Sequence, residues 1–91
     1  MSDLQHCRAV IRRWKPGATS GLCVADLPAD VATALGGLKQ RRVRGTINGA
    51  AFTSNVMPAG RGVLCLSVSQ GMLAAAGASV DDEVELELER V

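Results

Sequence analysis

Arg42 and Arg44 stand two residues apart, and in a strand two such side chains point the same way. Asn48-Gly49 follows them, the strongest short hairpin signal, because a type I′ turn needs positive φ at both central positions. A turn there sets Ile47 against Ala50, Gly45 against Phe52 and Val43 against Ser54. Thr53 and Asn55 then fall beside the two arginines. Two guanidiniums flanked by a hydroxyl and an amide could hold a phosphate or a carboxylate. The competing reading needs no ligand. Glu83, Glu85, Glu87 and Glu89 alternate with apolar residues near the end of the chain. If that strand lies nearby, the arginines make surface ion pairs worth about 0–1 kcal/mol each. The expectation is a barrel wall partly balanced by glutamates, with at most weak anion binding.

Other chemistry is sparse. The one histidine, His6, adjoins Cys7, and neighbours in a strand project to opposite faces. Cys23 or Cys65 could meet His6 across a sheet, but nothing in the sequence demands it. No phosphate loop, metal-ligand cluster or nucleophile elbow occurs, so no metal and no cofactor is expected. The three cysteines have no Cys-x-x-Cys spacing and sit among apolar residues, which reads as free buried thiols. A further route to function is a cavity. The large aromatics are Trp14 and Phe52 alone, and a core of Ala, Gly and Val could leave a pocket with Trp14 and Met57 or Met72 at its mouth. Close packing is the simpler expectation.

The elements that must position these residues follow from pattern. His6–Trp14 reads as a strand and Lys15–Gly21 as a loop. "LCVADL" is a second strand. A short helix enters at Pro28 and Asp30, with Val31, Leu35 and Leu38 as its apolar face and Gly36-Gly37 weakening its end. Phe52 of the hairpin is expected over the bare backbone of Gly45. "PAGRG" from Pro58 to Gly62 is a turn, and "VLCLSV" a strand buried on both sides. Ser69 caps a second helix that stops at Gly77. "EVELELE" alternates perfectly as a half-buried strand. Six short strands and two short helices predict a mostly β domain over residues 1–91: a small, mainly antiparallel barrel capped by the helices.

Ten Lys and Arg against nine Asp and Glu leave a net charge of +1. A non-specific nucleic-acid binder needs a clear positive excess, so this balance argues against one. The start "MSDLQHC" has no apolar signal core, and no stretch is long and apolar enough to span a bilayer. The reading is cytoplasmic and soluble, with no membrane partner.

Four pieces in order carry a family resemblance: "LP-x-DV" at Leu27, Pro28, Asp30 and Val31; "VRGTING" from Val43 to Gly49; "P-x-G-x-G" at Pro58, Gly60 and Gly62; and the ending "AAG-x-x-x-DDEVELELE". With them the chain resembles the bacterial family catalogued as domain of unknown function 1905. The resemblance implies a small barrel with short helices, distantly similar to split barrels that bind DNA as dimers. Family members are often fused to a second domain associated with bacteriocin protection, for which 91 residues leave no room. Asp81-Asp82 stands where the family usually has Gly-Asp, and Ser20-Gly21-Leu22 where many relatives carry an aromatic. The family supplies no catalytic residue to carry over.

The sequence therefore predicts a non-enzymatic binding or interaction module, with a small molecule or a protein as ligand and a homodimer possible in principle. The alternative is a small-molecule cavity protein, catalytic at most by shaping a substrate. A dimeric DNA-binding split barrel is the least favoured reading.

Overall fold

The computed structural model describes residues 4–14 and 22–91. The loop expected over Lys15–Gly21, and with it the Ser20-Gly21 departure, lies outside the described residues. In chain order the elements are β1 (Gln5–Arg13), β2 (Cys23–Leu27), α1 (Ala29–Ala34), β3 (Arg41–Ile47), β4 (Ala50–Gly60), β5 (Val63–Val68), α2 (Gln70–Ala76) and β6 (Glu83–Arg90).

Alternation in β6 is what lets the sheet close. Val84, Leu86 and Leu88 are buried and their glutamate neighbours face out, so one face can join a core while the other meets water. β6 pairs on one side with β1 and on the other with β3, completing a closed antiparallel barrel in the order β1-β2-β5-β4-β3-β6. Closure removes the exposed strand edges through which a sheet recruits further strands. The interior is filled. Ile11, Val43, Ile47, Val56, Leu64, Leu66, Leu86 and Leu88 are all fully buried in one cluster.

The β3–β4 hairpin has the expected register, with Ile47 opposite Ala50, Gly45 opposite Phe52 and Val43 opposite Ser54. Asn48 and Gly49 both take positive φ, 49° and 84°. Gly45 is demanded by a different neighbour from the one expected. A Cβ there would lie 1.7 Å from the Glu87 carbonyl oxygen, so the obstruction is the backbone of β6, beyond any question of space for Phe52. The second hairpin is tighter than expected. β4 continues through Pro58 to Gly60, and the turn shrinks to Arg61-Gly62, both at positive φ (57° and 74°). Pro58 fits in the strand because the ladder to β5 slips between Pro58 and Gly60, where a missing N–H does no harm.

Because every neighbouring pair is antiparallel, the barrel has two distinct ends. β1 finishes, β2 begins, the Asn48-Gly49 turn sits and α2 lies at one end. At the other are α1, the Arg61-Gly62 turn and the last residues of β6. α2 is fastened as the sequence predicts. Ser69 Oγ accepts from the Met72 N–H (3.1 Å), and Gly77 is left-handed at φ 65°. The Ala78 N–H returns to the Leu73 carbonyl at 3.0 Å, a Schellman closure. α1 is shorter than its apolar spacing suggests. It ends at Ala34 with Leu35 as cap, and Leu38 is exposed rather than part of the buried face. Gly36 and Gly37 are the cause: both adopt positive φ, 104° and 94°, and reverse the chain before Leu38 can turn inward.

Candidate functional site

β3 carries Arg42 and Arg44 on its outer face, since the inward positions are Arg41, Val43, Gly45 and Ile47. The ladder sets Arg42 directly against Asn55 and Arg44 against Thr53. All four are exposed. β6 is the other neighbour of β3, so the glutamates line the same outer wall. Arg44 Nε donates to Glu89 Oε1 at 3.1 Å, Thr46 Oγ1 donates to Glu87 Oε1 at 3.5 Å, and on the far side of β6 Arg8 Nη2 donates to Glu85 Oε1 at 3.2 Å. One acidic strand thus draws cations from both flanks. Among the described residues Arg42 has no carboxylate partner; its carbonyl accepts the Val91 N–H at 3.1 Å.

Trp14 is not part of that group. Its N–H donates to the Leu22 carbonyl at 3.0 Å, extending the β1–β2 ladder, and β1 is separated from β3 by β6 on one side and by three strands on the other. The methionines expected beside it at a cavity mouth lie on different faces. Met72 is buried in the core, while Met57 alternates with buried Val56 and so lies on the outer face of β4. Space exists instead outside the packed interior, at the α2 end. A cleft of about 500 Å³ runs between α2 and the ends of β1 and β2, lined by Arg13, Cys23, Gln70, Leu73, Ala74, Ala78, Ser79 and Val80.

The cleft follows from local structure. Gly77 ends α2 and sends the chain into a turn in which the Ser79 N–H donates to Asp82 Oδ2 (2.9 Å). That turn is tied to β1: the Asp81 N–H donates to the Ile11 carbonyl (2.7 Å), and the Ile11 N–H to the Asp82 carbonyl (2.9 Å). The gap between this strap and α2 is the cleft. Arg13 lies on the inward register of β1, two residues beyond Ile11, where a continuing core would need an apolar residue. It is exposed, and no carboxylate lies within ion-pair distance of it among the described residues. A charged residue in an apolar register at a strand end was the readable signal for this site. Its neighbour Arg12, on the outer face, is committed: Nε and Nη2 grip both oxygens of Asp26 at 2.8 and 2.9 Å, and that bond raises the Arg12 pKa.

The thiols do not form a nucleophile with His6. Cys7 faces the core, and His6 points outward opposite Glu87. Burial raises the Cys7 pKa, and the charge of Asp30 adds to it. Cys65 faces outward from β5 between Asp26 and Met57, yet is fully buried there. Its pKa is raised by burial first and by Asp26 second, against a smaller lowering by Arg12. Thiols held protonated in this way are poor nucleophiles. Among the described residues no three His, Cys, Asp or Glu side chains gather where they could hold a metal ion, and no helix is long and apolar enough to cross a membrane.

Residues 8–88 match the family model for a domain of unknown function, DUF1905. The chain belongs to that family. A search of curated proteins finds no match. Family membership thus fixes kinship for most of the chain without assigning chemistry to any residue.

Proposed function

We propose that this DUF1905 barrel is a non-enzymatic binding module that takes a small amphipathic ligand in the cleft beneath α2. The observation that carries the reading is the lining of that cleft. Leu73, Ala74, Val80 and Cys23 offer an apolar wall, and Arg13 supplies one cation without an ion-pair partner among the described residues. Apolar pockets with a few placed polar groups are the usual form of small-molecule sites. The ligand that suits this lining has an apolar body and one negative group. The absence of a Cys–His arrangement, and two thiols held protonated, support a binding role over a catalytic one. The outer arginine stripe is a weaker candidate because Arg44 is already held by Glu89. The same pairing and the net charge of +1 speak against nucleic acid as the partner. Three free cysteines favour a reducing, cytoplasmic setting.

The test is an NMR screen of the purified chain with small aromatic and aliphatic carboxylates. Saturable shifts at the amides of Leu73, Ala74, Ala78 and Val80, lost in an Ala74→Leu variant that fills the cleft, are the expected result. Shifts scattered over the surface, or unchanged by Ala74→Leu, would overturn the assignment.

A further inference from the structure

The first residue of β3 is an arginine whose Nε has no hydrogen-bond partner among the described residues. Arg41 occupies the inward register with Val43 and Ile47 and sits opposite the fully buried Val56. Its Nε is sealed from solvent, and no acceptor lies within hydrogen-bonding reach. The guanidinium instead lies against Gly36. A Cβ at that position would stand 2.8 Å from Nε and 2.9 Å from both Cζ and Nη2. Gly36 therefore serves two ends at once: it reverses the chain after α1 at φ 104°, and it leaves the cradle in which the guanidinium rests.

A guanidinium partly withdrawn from water, with no carboxylate within ion-pair distance among the described residues, is a charge that lacks a counterion. The other arginines with a defined task, Arg8, Arg12 and Arg44, each have a carboxylate. The surroundings do not neutralise Arg41 either. Lys39, Arg42, Arg61 and Arg90 lie at the same end of the barrel by topology. Among the described residues the acids there are Asp30, which forms no ion pair with Arg41, Asp26, which is bound to Arg12, and Glu89, which is bound to Arg44. Nε itself faces Gly36 and is closed to a ligand; what an anion answers is the charge left without a counterion.

We infer that the α1 end of the barrel is an oxyanion site, in which Arg41, backed by Gly36, receives a carboxylate or phosphate group. The terminal amines of Arg41 are not sealed in as Nε is, and they form the edge that such a group reaches. This site is separate from the cleft beneath α2, at the opposite mouth of the barrel. Arginine suits it better than lysine would, because a planar fork can rest on a glycine and still present two parallel donors.

The experiment titrates the whole chain with inorganic phosphate and with acetate, at constant ionic strength in chloride. The readouts are the Arg41 Nε–H resonance and the Gly36 and Gly37 amides, together with the thermal midpoint. Saturable shifts at these three positions, and a midpoint raised by phosphate or acetate beyond chloride, are expected. Which of the two anions binds more tightly separates a phosphate site from a carboxylate site. Arg41→Lys keeps the charge but loses the fork, and should weaken binding by about tenfold. Arg8→Gln, a charge loss on the outer wall, should leave it unchanged. Failure of both anions to move the Arg41 resonance, or equal weakening by Arg41→Lys and Arg8→Gln, would overturn the site. If Arg41→Lys does not fold, the wild-type resonance and midpoint decide alone.

Discussion

The two ends of this barrel are each closed by one short helix, and they are closed in different ways. At the α2 end the termini of the helix are satisfied. Ser69 and Gly77 cap the helix. Asn48 Nδ2 donates to the Ala76 carbonyl at 3.3 Å, while Asn48 Oδ1 accepts the Glu85 N–H at 2.9 Å, so one side chain joins hairpin, helix and closing strand. What that end lacks is packing, and a cleft remains. At the α1 end the helix is seated on the core: Val31, Ala32 and Leu35 are buried. What that end lacks is polar satisfaction. Pro28 provides no side-chain cap, and Arg41 Nε has no acceptor. Charge is mixed at both ends: Asp81, Asp82 and Glu83 lie with Arg12 and Arg13 toward the α2 end, and Lys39, Arg41, Arg42, Arg61 and Arg90 outnumber Asp26, Asp30 and Glu89 toward the other. An unfilled apolar space and an uncompensated charge are different deficits. They call for different ligands, which is why the two proposed sites differ in chemistry.

The comparison assumes that both ends belong to one cooperative unit, and Gly45 tests this with the largest expected effect. Its inward position is blocked by the Glu87 carbonyl, which no rotamer change can move. Gly45→Ala should cost more than about 4 kcal/mol or prevent folding outright. Circular dichroism and NMR dispersion should be lost at both ends together. A variant that kept native signals from α2 while losing those of α1 would show that the ends are separate units.

Leucine truncation sharpens the contrast in packing. Leu35 is 1 % exposed, whereas Leu73 already borders the cleft. Truncating a buried leucine costs about 2–5 kcal/mol, depending on how far the surroundings can collapse. Leu35→Ala should fall in the upper part of that range and Leu73→Ala in the lower part, measured by urea denaturation at constant m-value. Equal losses would mean that the cleft wall is as tightly supported as the plugged end.

How much of this the sequence disclosed depends on the range of the interactions. The β3–β4 register, α2 and β6 were readable because each is set within a few residues: an Asn-Gly turn, a Ser cap with a Gly stop, an alternation of period two. Leu38 misled because its spacing fits a helix that Gly36-Gly37 cuts short. Pro58 misled because a proline in a strand is tolerated only where the ladder slips, and the slip is a property of β5 as much as of β4. The candidate site was half legible. Arg42, Arg44, Thr53 and Asn55 do share one wall, as parity requires. Arg13 and Arg41 were passed over, although each breaks an apolar register at a strand end. Their meaning appears only when the barrel closes and shows which end each one occupies.

The thiols give a pH test confined to one end. Cys7 and Cys65 both have a folded pKa above the ordinary value, so the native state holds these protons longer than the unfolded chain does. Their contribution to stability is complete below the unfolded thiol range, near about pH 8.5, and is lost as pH rises through the folded values. Wild-type stability should therefore decline on the alkaline side, and less so in Cys7→Ala. Asp30 acts on Cys7 alone of the two, so Asp30→Asn should lower the Cys7 titration followed by carbon-13 NMR and leave Cys65 in place. Movement of both would mean that Asp30 acts through the fold rather than through its charge.

The smallest effect bears on the charge argument at the α1 end. Arg44 and Glu89 are cross-strand partners, 3.1 Å apart, with the arginine side chain 63 % exposed and the glutamate 23 %. Exposed pairs of this kind are worth about 0.2–1 kcal/mol. The partial burial of Glu89 places this one toward the top of that range. A double-mutant cycle with Arg44→Gln and Glu89→Gln, read by urea denaturation, should return a coupling of about 0.5–1 kcal/mol that shrinks as salt is raised. The value matters beyond its size. A coupled Glu89 has its charge drawn toward Arg44 on the outer wall. A coupling near zero would free Glu89 to neutralise its surroundings. The case for an uncompensated Arg41 would then rest on the geometry at Gly36 alone.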